Sequence, residues 1–165
     1  MRIRPCNAAD CSAICDIYNH YVKHTIITFE ETPVDRDQME KRVLACTQRY
    51  PWLVAEHGER IVGYAYGAQW NAREAYRHSA EVSVYLDHAQ LGKGYGKALY
   101  QELLYQLTQR EVHTALAAIA LPNASSVALQ ESLGFDVVGE FKQVGKKLGQ
   151  WVDVGYWQKM LVGHG

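Results

Sequence analysis

Hydrophobic positions along this chain change period several times, and each change marks an element. From Asn7 to about Lys23 the apolar residues Ile14, Ile17, Tyr18 and Tyr21 share one helical face, with Asn7 placed to cap the helix. Asp35 caps a second helix, with Gln38 at its N3 position, that ends near Tyr50-Pro51. A period of two follows. Trp52 to Glu56 and Arg60 to Ala68 form a hairpin turning at His57-Gly58-Glu59. The stretch from Ser79 to Leu86 alternates, with Glu81, Ser83 and Tyr85 on one face and Ala80, Val82, Val84 and Leu86 on the other. Gly94 to Arg110 is helical, Thr114 to Ala120 is a small-residue strand buried on both faces, and Asn123 begins a helix stopped by Gly134. Ile3 to Pro5 is a short strand, and the β-branched run Thr25 to Phe29 is expected to be extended. Two last strands, Phe135 to Val144 and Val152 to Leu161, flank a loop from Gly145 to Gln150. The order β-α-α-β-β-β-α-β-α-β-β describes a mixed sheet covered by helices.

The junction after the alternating strand carries the most chemistry. Glu81 is presented beside Gly92-Lys93-Gly94-Tyr95-Gly96, which opens a helix. Glycines at every second position let backbone N–H groups turn toward an anion, and a helix N-terminus adds partial positive charge. A base beside a pyrophosphate cradle is what acyl transfer from coenzyme A to an amine requires. Two other phosphate loops fail on spacing. A Walker loop needs Ser or Thr where Ala98 stands and Gly where Leu91 stands, and a dinucleotide fingerprint needs Gly at Lys97 or Leu99. The glycines read alone are equally a turn with no ligand.

Length and composition narrow the setting. A chain of 165 residues is one domain, 1–165, large enough to need no disulfide or metal staple. A formal net charge of −1 gives no electrostatic footprint for nucleic acid. No apolar run approaches the ~20 residues of a membrane span, and Met1 to Pro5 has no signal-peptide core. The expectation is a cytoplasmic protein with no membrane or nucleic-acid partner. Cys6, Cys11, Cys15 and Cys46 do not form paired metal hooks and read as reduced core thiols. His20 and His24 lack a neighbouring third ligand, so no metal is expected.

At this point the chain resembles the GNAT superfamily of acyl-CoA-dependent N-acetyltransferases, and within it the phosphinothricin and methionine-sulfoximine acetyltransferase family. The resemblance runs through Ile17-Tyr18-Asn19, Thr28-Phe29-Glu30, Arg73-Glu74-Ala75-Tyr76-Arg77, Glu81-Val82-Ser83-Val84-Tyr85, the glycine loop, Leu121-Pro122-Asn123, Leu133-Gly134-Phe135 and Val144 to Val154. It implies the single-domain GNAT fold, an α/β (α+β) arrangement with a mixed, mostly antiparallel sheet flanked by helices. It also implies acetyl-CoA as co-substrate and a homodimer. Cofactor contacts are implied at Val84, Tyr85, Leu86, Gly92, Lys93, Gly94, Tyr95, Gly96, Lys97, Asn123 and Ser132. Substrate contacts are implied at Phe29, Glu30, Asn71, Ala72, Arg73, Tyr76, Glu81, Val82 and Ser83. Two positions depart from the pattern: Leu91 stands where the loop usually opens with Gln or Arg, and Gln130 where related enzymes tend to carry His or Tyr.

Each role has an ordinary local alternative. Glu81, the candidate general base, is desolvated by apolar neighbours on one reading and faces solvent at a strand edge on the other. Arg73 is a bidentate fork for a substrate carboxylate or a surface arginine in a polar loop. Asn123 needs no role beyond capping its helix, and Ser132 is locally a polar residue in a last helical turn. Phe29 is pocket wall or core. Trp151 and Asp153 are assigned to a subunit interface or lid, and Lys146 and Lys147 to solvent. The leading function is N-acetylation of a small amino acid or analogue such as methionine sulfoximine, methionine sulfone or phosphinothricin. The alternatives are acetylation of another amine, such as a protein N-terminus or polyamine, and an acyl-CoA-binding module without turnover.

Overall fold

The computed structural model describes residues 1–161. Seven strands form one sheet: β1 (Arg2–Pro5), β2 (Trp52–His57), β3 (Arg60–Gln69), β4 (Ser79–Leu86), β5 (Thr114–Leu121), β6 (Asp136–Lys147) and β7 (Gln150–Met160). Four helices accompany them: α1 (Cys11–His24), α2 (Arg36–Thr47), α3 (Tyr95–Gln109) and α4 (Ala124–Ser132). The spatial order is β1-β2-β3-β4-β5-β7-β6, and every neighbouring pair is antiparallel except β4 with β5.

Two cores lie on opposite faces of the sheet, and the alternation of β4 decides which residues enter each. Ala80, Val82, Val84 and Leu86 pack with Leu99, Leu103 and Leu107 of α3. Tyr85 packs on the other face, against the cluster containing Ile14, Ile17, Tyr18, Tyr21 and Val22 of α1 and Met39 and Val43 of α2. The helix starts follow the caps in the sequence. Asp35 accepts from the Gln38 amide at 2.8 Å, and the Asn123 side chain accepts from the Ser126 amide at 3.2 Å. Asn7 caps a single 3-10 turn, Ala8–Asp10, from which α1 continues. Asp10 there is gripped by Arg4 through two 2.8 Å bonds, which hold its carboxyl below the usual range.

Three expectations are corrected. The segment from Thr25 to Phe29 joins no strand; it crosses in bends from α1 toward α2. Strand propensity measures how well a side chain suits a pleated surface, and this segment pairs with none of the seven strands. The expected loop from Gly145 to Gln150 is mostly sheet. β6 runs to Lys147 and β7 begins at Gln150, leaving a two-residue turn at Leu148 and Gly149 with φ of 53° and 76°. Positive φ at both central residues is the turn that suits the right-handed twist of paired strands. Finally, Lys147 is buried rather than solvated, at 3% exposure, whereas Lys146 is exposed and lies over the Trp151 ring.

Candidate active site

The site begins where two strands part. β4 pairs with β5 only from Ser79↔Thr114 to Glu81↔Leu116, while β4 stays paired with β3 as far as Leu86↔Gly63. The Asp87 amide donates to the Val62 carbonyl at 2.9 Å, which sets the phase of the β3–β4 ladder. The amides of Glu81, Ser83 and Tyr85 then point to β3, and those of Val84 and Leu86 point the other way, into the opening beyond Glu81. An unpaired strand edge of this kind accepts an extended amide-bearing chain. The Leu86 carbonyl accepts from the Tyr21 hydroxyl, so α1 is tied to the same edge.

The glycine loop follows directly. Asp87 accepts from the Ala89 amide at 3.0 Å and pairs with Arg60 at 3.0 Å, fixing the exit from β4. Gly92 and Gly94 have φ of 77° and 80°, and a Cβ at either would meet nothing within 4 Å. Their requirement is conformational rather than steric. Gly96 differs: it is helical, and a Cβ there would touch Leu86 and Leu129 at ordinary distances of 3.4 and 3.5 Å. α3 starts at Tyr95, so the amides of Tyr95, Gly96 and Lys97 have no intrahelical acceptor and face the loop. Lys93 bonds Gln90 at 2.7 Å, and Lys97 is exposed. These open amides, the left-handed glycines and the unpaired β4 edge suit a pyrophosphate joined to an amide-containing arm, as in acetyl-CoA.

Glu81 projects from the opposite face of β4 into a cavity of about 510 Å³ that it shares with Phe29, Ser83, Tyr85, Phe141 and Tyr156. Burial raises its pKa above the ordinary carboxylate value, with no neighbouring charge contributing. A carboxylate held this way is a stronger base than one in water. On the other side of the opening, Val84, Asn123 and Gln130 line a smaller cleft of about 70 Å³. Gln130 is 2% exposed and its Oε1 has no partner. Ser132 is exposed and donates to the Leu129 carbonyl at 2.7 Å, a local helical use of its hydroxyl.

The expected acceptor residues are spread more widely. Phe29 is 41% exposed, so it is wall rather than core. Glu30 turns toward α2: Arg42 binds it at 2.8 and 2.6 Å, Tyr18 donates to it, and the Arg42 contact holds its carboxyl below the usual range. Tyr76 packs edge-on against Trp70 with ring centroids 5.2 Å apart, and both line a groove of about 680 Å³ that shares Phe141 and Tyr156 with the Glu81 cavity. Arg73 is exposed, its amide held by the Asn71 side chain at 3.1 Å, and neither these two nor Ala72 lines the cavity or the groove. Val82 lies on the α3 face. Sequence reasoning passed over Phe141, Tyr156, Ala118 and Ala120, all of which line the cavity. The period-two pattern of β5 and β7 was the available signal, since Ala118 and Ala120 share a face, as do Val154 and Tyr156. Among the described residues no cluster of three His, Cys, Asp or Glu side chains is placed to hold a metal, and no helix is long and apolar enough to cross a membrane.

The splayed edge of β4 and the glycine loop at the start of α3 suit an acyl-CoA donor, and similarity to known proteins assigns the class, an acyl-CoA-dependent acyltransferase. Residues 3–155 match the acetyltransferase (GNAT) domain. A phosphinothricin N-acetyltransferase from Streptomyces viridochromogenes is 39% identical over 159 residues, covering 96% of this chain and 87% of that protein. An L-methionine sulfoximine/L-methionine sulfone acetyltransferase from Salmonella typhimurium is 38% identical over 168 residues, covering 99% and 96%. A GNAT superfamily phosphinothricin acetyltransferase from Sinorhizobium meliloti, solved in complex with acetyl-CoA, superimposes with a TM-score of 0.94 at 37% identity, covering 96% of this chain and 87% of that one. The chain belongs to the GNAT acetyltransferase family, and it is an acetyl-CoA-dependent N-acetyltransferase.

Proposed function

We propose that this enzyme acetylates the α-amine of a small amino acid or amino-acid analogue of the methionine sulfoximine, methionine sulfone or phosphinothricin kind, with Glu81 as general base. The observation that carries the reading is the Glu81 carboxylate: half-buried, raised in pKa by burial, and facing a cavity at the point where β4 leaves β5. Acetyl-CoA supplies the acetyl group. The amides of Val84 and Leu86 are the candidate holders of its arm, and the Gly92 to Lys97 amides of its pyrophosphate, with Lys93 and Tyr95 at the rim. An α-amine is mostly protonated at neutral pH and attacks only as the free base. Glu81 takes that proton, directly or through a water. The Val84 amide is placed to donate to an oxygen on which negative charge builds. Phe29, Ser83, Tyr85, Phe141 and Tyr156 shape the space for the acceptor's side chain.

Arg73 is assigned the substrate carboxylate. Its loop borders the Trp70 and Tyr76 groove, and a guanidinium fork is the side chain that binds a carboxylate in two places. The whole chain is read as one domain, acting in the cytoplasm as a homodimer. The relatives named above, acting on amino-acid analogues, support the substrate class. The test is a panel of amino acids, analogues and their decarboxylated amines, followed by free-thiol release from acetyl-CoA. Turnover of amino acids with at least tenfold loss for the matching amines supports the reading. Equal rates for both would move the function to another amine.

A further inference from the structure

Lys147 is the least accessible cation that the acetyl-transfer chemistry leaves unexplained. It ends β6, is 3% exposed, and carries its ammonium beneath the irregular segment that follows α1. Its Nζ donates to the Thr28 carbonyl at 2.6 Å and to the Tyr21 carbonyl at 3.2 Å, across sequence separations of 119 and 126 residues. Both acceptors are neutral. The carboxylates near enough to matter are Glu31 and Glu30, and the second is already engaged by Arg42. Burial lowers the pKa of the ammonium, so holding the charge there opposes stability. A methionine of similar length would fill the space without that cost.

The geometry shows what the charge does in return. Ile27, Thr28 and Phe29 form one wall of the Glu81 cavity, yet their segment has no ladder hydrogen bonds to hold it. Lys147 grips it at Thr28 from below, and Phe29 is left lying on Gly145, two residues before Lys147 on the same strand. The Tyr18 hydroxyl meets the Thr28 hydroxyl at 2.8 Å and secures the other side. The wall of the acceptor cavity is thus held at Thr28 from β6 by one buried cation and from α1 by one hydroxyl, and one residue past Phe29 from α2 by the Arg42–Glu30 pair.

We infer that Lys147 is a positioning residue for acceptor specificity: its ammonium, by binding the Thr28 and Tyr21 carbonyls, sets the place of the Phe29 wall over Glu81. This rests on the acceptor-cavity reading above, and the test separates the two. In Lys147→Met, hydrogen exchange of amides 25–30 should speed up at least tenfold, while α3 exchanges as in wild type. The melting-temperature rise given by acetyl-CoA should be unchanged. With L-methionine sulfone, or whichever panel amino acid is turned over, KM should rise about tenfold and kcat stay within threefold. Lys147→Arg keeps the cation and should restore both exchange and KM to within threefold. Unchanged exchange at 25–30 in a folded Lys147→Met protein overturns the inference, as does a fall in kcat with KM preserved. If the methionine variant does not fold, Lys147→Arg decides: wild-type exchange and KM support the cation's role, and a raised KM overturns it. If no amino acid is turned over by wild type, the substrate reading fails, while the exchange measurement still judges Lys147.

Discussion

The Phe29 ring lies directly over Gly145. A methyl group built on that glycine would come within 2.3 Å of Phe29 Cε2 and within 3 Å of two further ring carbons. Gly145 is therefore small because an aromatic wall of the Glu81 cavity rests on it, not because its backbone needs a left-handed angle.

Gly145→Ala is expected to push the ring toward the cavity or out of it. The acceptor KM should rise at least fivefold, and the ranking of substrates by side-chain size should change, with the acetyl-CoA dissociation constant unaltered. Steady-state kinetics over the amino-acid panel, with calorimetric titration of acetyl-CoA, check both halves. An unchanged ranking would mean that Phe29 does not touch the acceptor.

Glu81→Gln keeps the shape and removes the base. Turnover should fall by ~10²-fold or more, with acetyl-CoA binding intact. Because burial raises the carboxyl's pKa, the wild-type rate should decline on the acid side at a pH above the usual carboxylate range, and that limb should vanish in the variant. The stability effect has the opposite sense from a salt-bridged acid. A folded-state pKa above the unfolded one means that the native state holds the extra proton between the two values. Stability then falls as pH rises through that window. Glutamine carries no such penalty, so at pH 7 the variant should melt at or above the wild-type temperature. A wild-type rate at neutral pH would place the base elsewhere.

Gly94→Glu tests the cradle. Gly94 sits at φ 80°, where a side chain costs roughly 1–2 kcal/mol, and the new carboxylate would stand beside the open amides at the start of α3, where it would compete with the proposed pyrophosphate. The melting temperature of the free protein should drop a few degrees. The rise produced by acetyl-CoA should disappear, since a ligand stabilises only the state it binds. Gly94→Ala should show the first loss and keep part of the rise. A full acetyl-CoA shift in a folded Gly94→Glu protein would falsify the cradle.

Gln130 makes a different prediction. Its side chain is 2% exposed and is hydrogen-bonded to Tyr100. Gln130→Met keeps the volume and should melt within a few degrees of wild type, whereas Gln130→Ala should lose more stability through the space it leaves. Turnover should fall only modestly in either, because a thiolate leaving group with a pKa near ~8.5 needs no dedicated acid. Thermal melts and kinetics read the two effects separately. A collapse of turnover with folding and binding preserved would assign the amide to catalysis.

Much of the frame was legible because local rules decided it. The alternation in β4 put Glu81, Ser83 and Tyr85 on one face and Val82 and Val84 on the other, and Asp35 and Asn123 cap helices where their side chains announce it. What was hidden depends on contacts between distant segments. Nothing near Lys147 in the chain says that it will be covered, because the cover comes from residues 119 and 126 positions away. Glu30 stands between Phe29 and Glu31 in a stretch that reads as pocket, and only the placement of α2 brings Arg42 to it. Tyr156 and Phe141 reach the cavity because β7 and β6 lie outside β5 in the sheet, an order that no local pattern encodes.

The opening of β4 from β5 also divides the molecule by how freely it can change. Along that edge the exposed groups are main-chain amides, which every residue but proline carries, so replacing side chains there leaves the donor pattern in place. Across the sheet the cavity is lined by residues with large side chains, Phe29, Tyr85, Phe141 and Tyr156 among them, and replacing these alters its outline. On the function proposed above, a lineage built on this framework retains one acyl donor through extensive substitution while the accepted amine drifts, and Phe29, Gly145 and Lys147 are the positions proposed to move it.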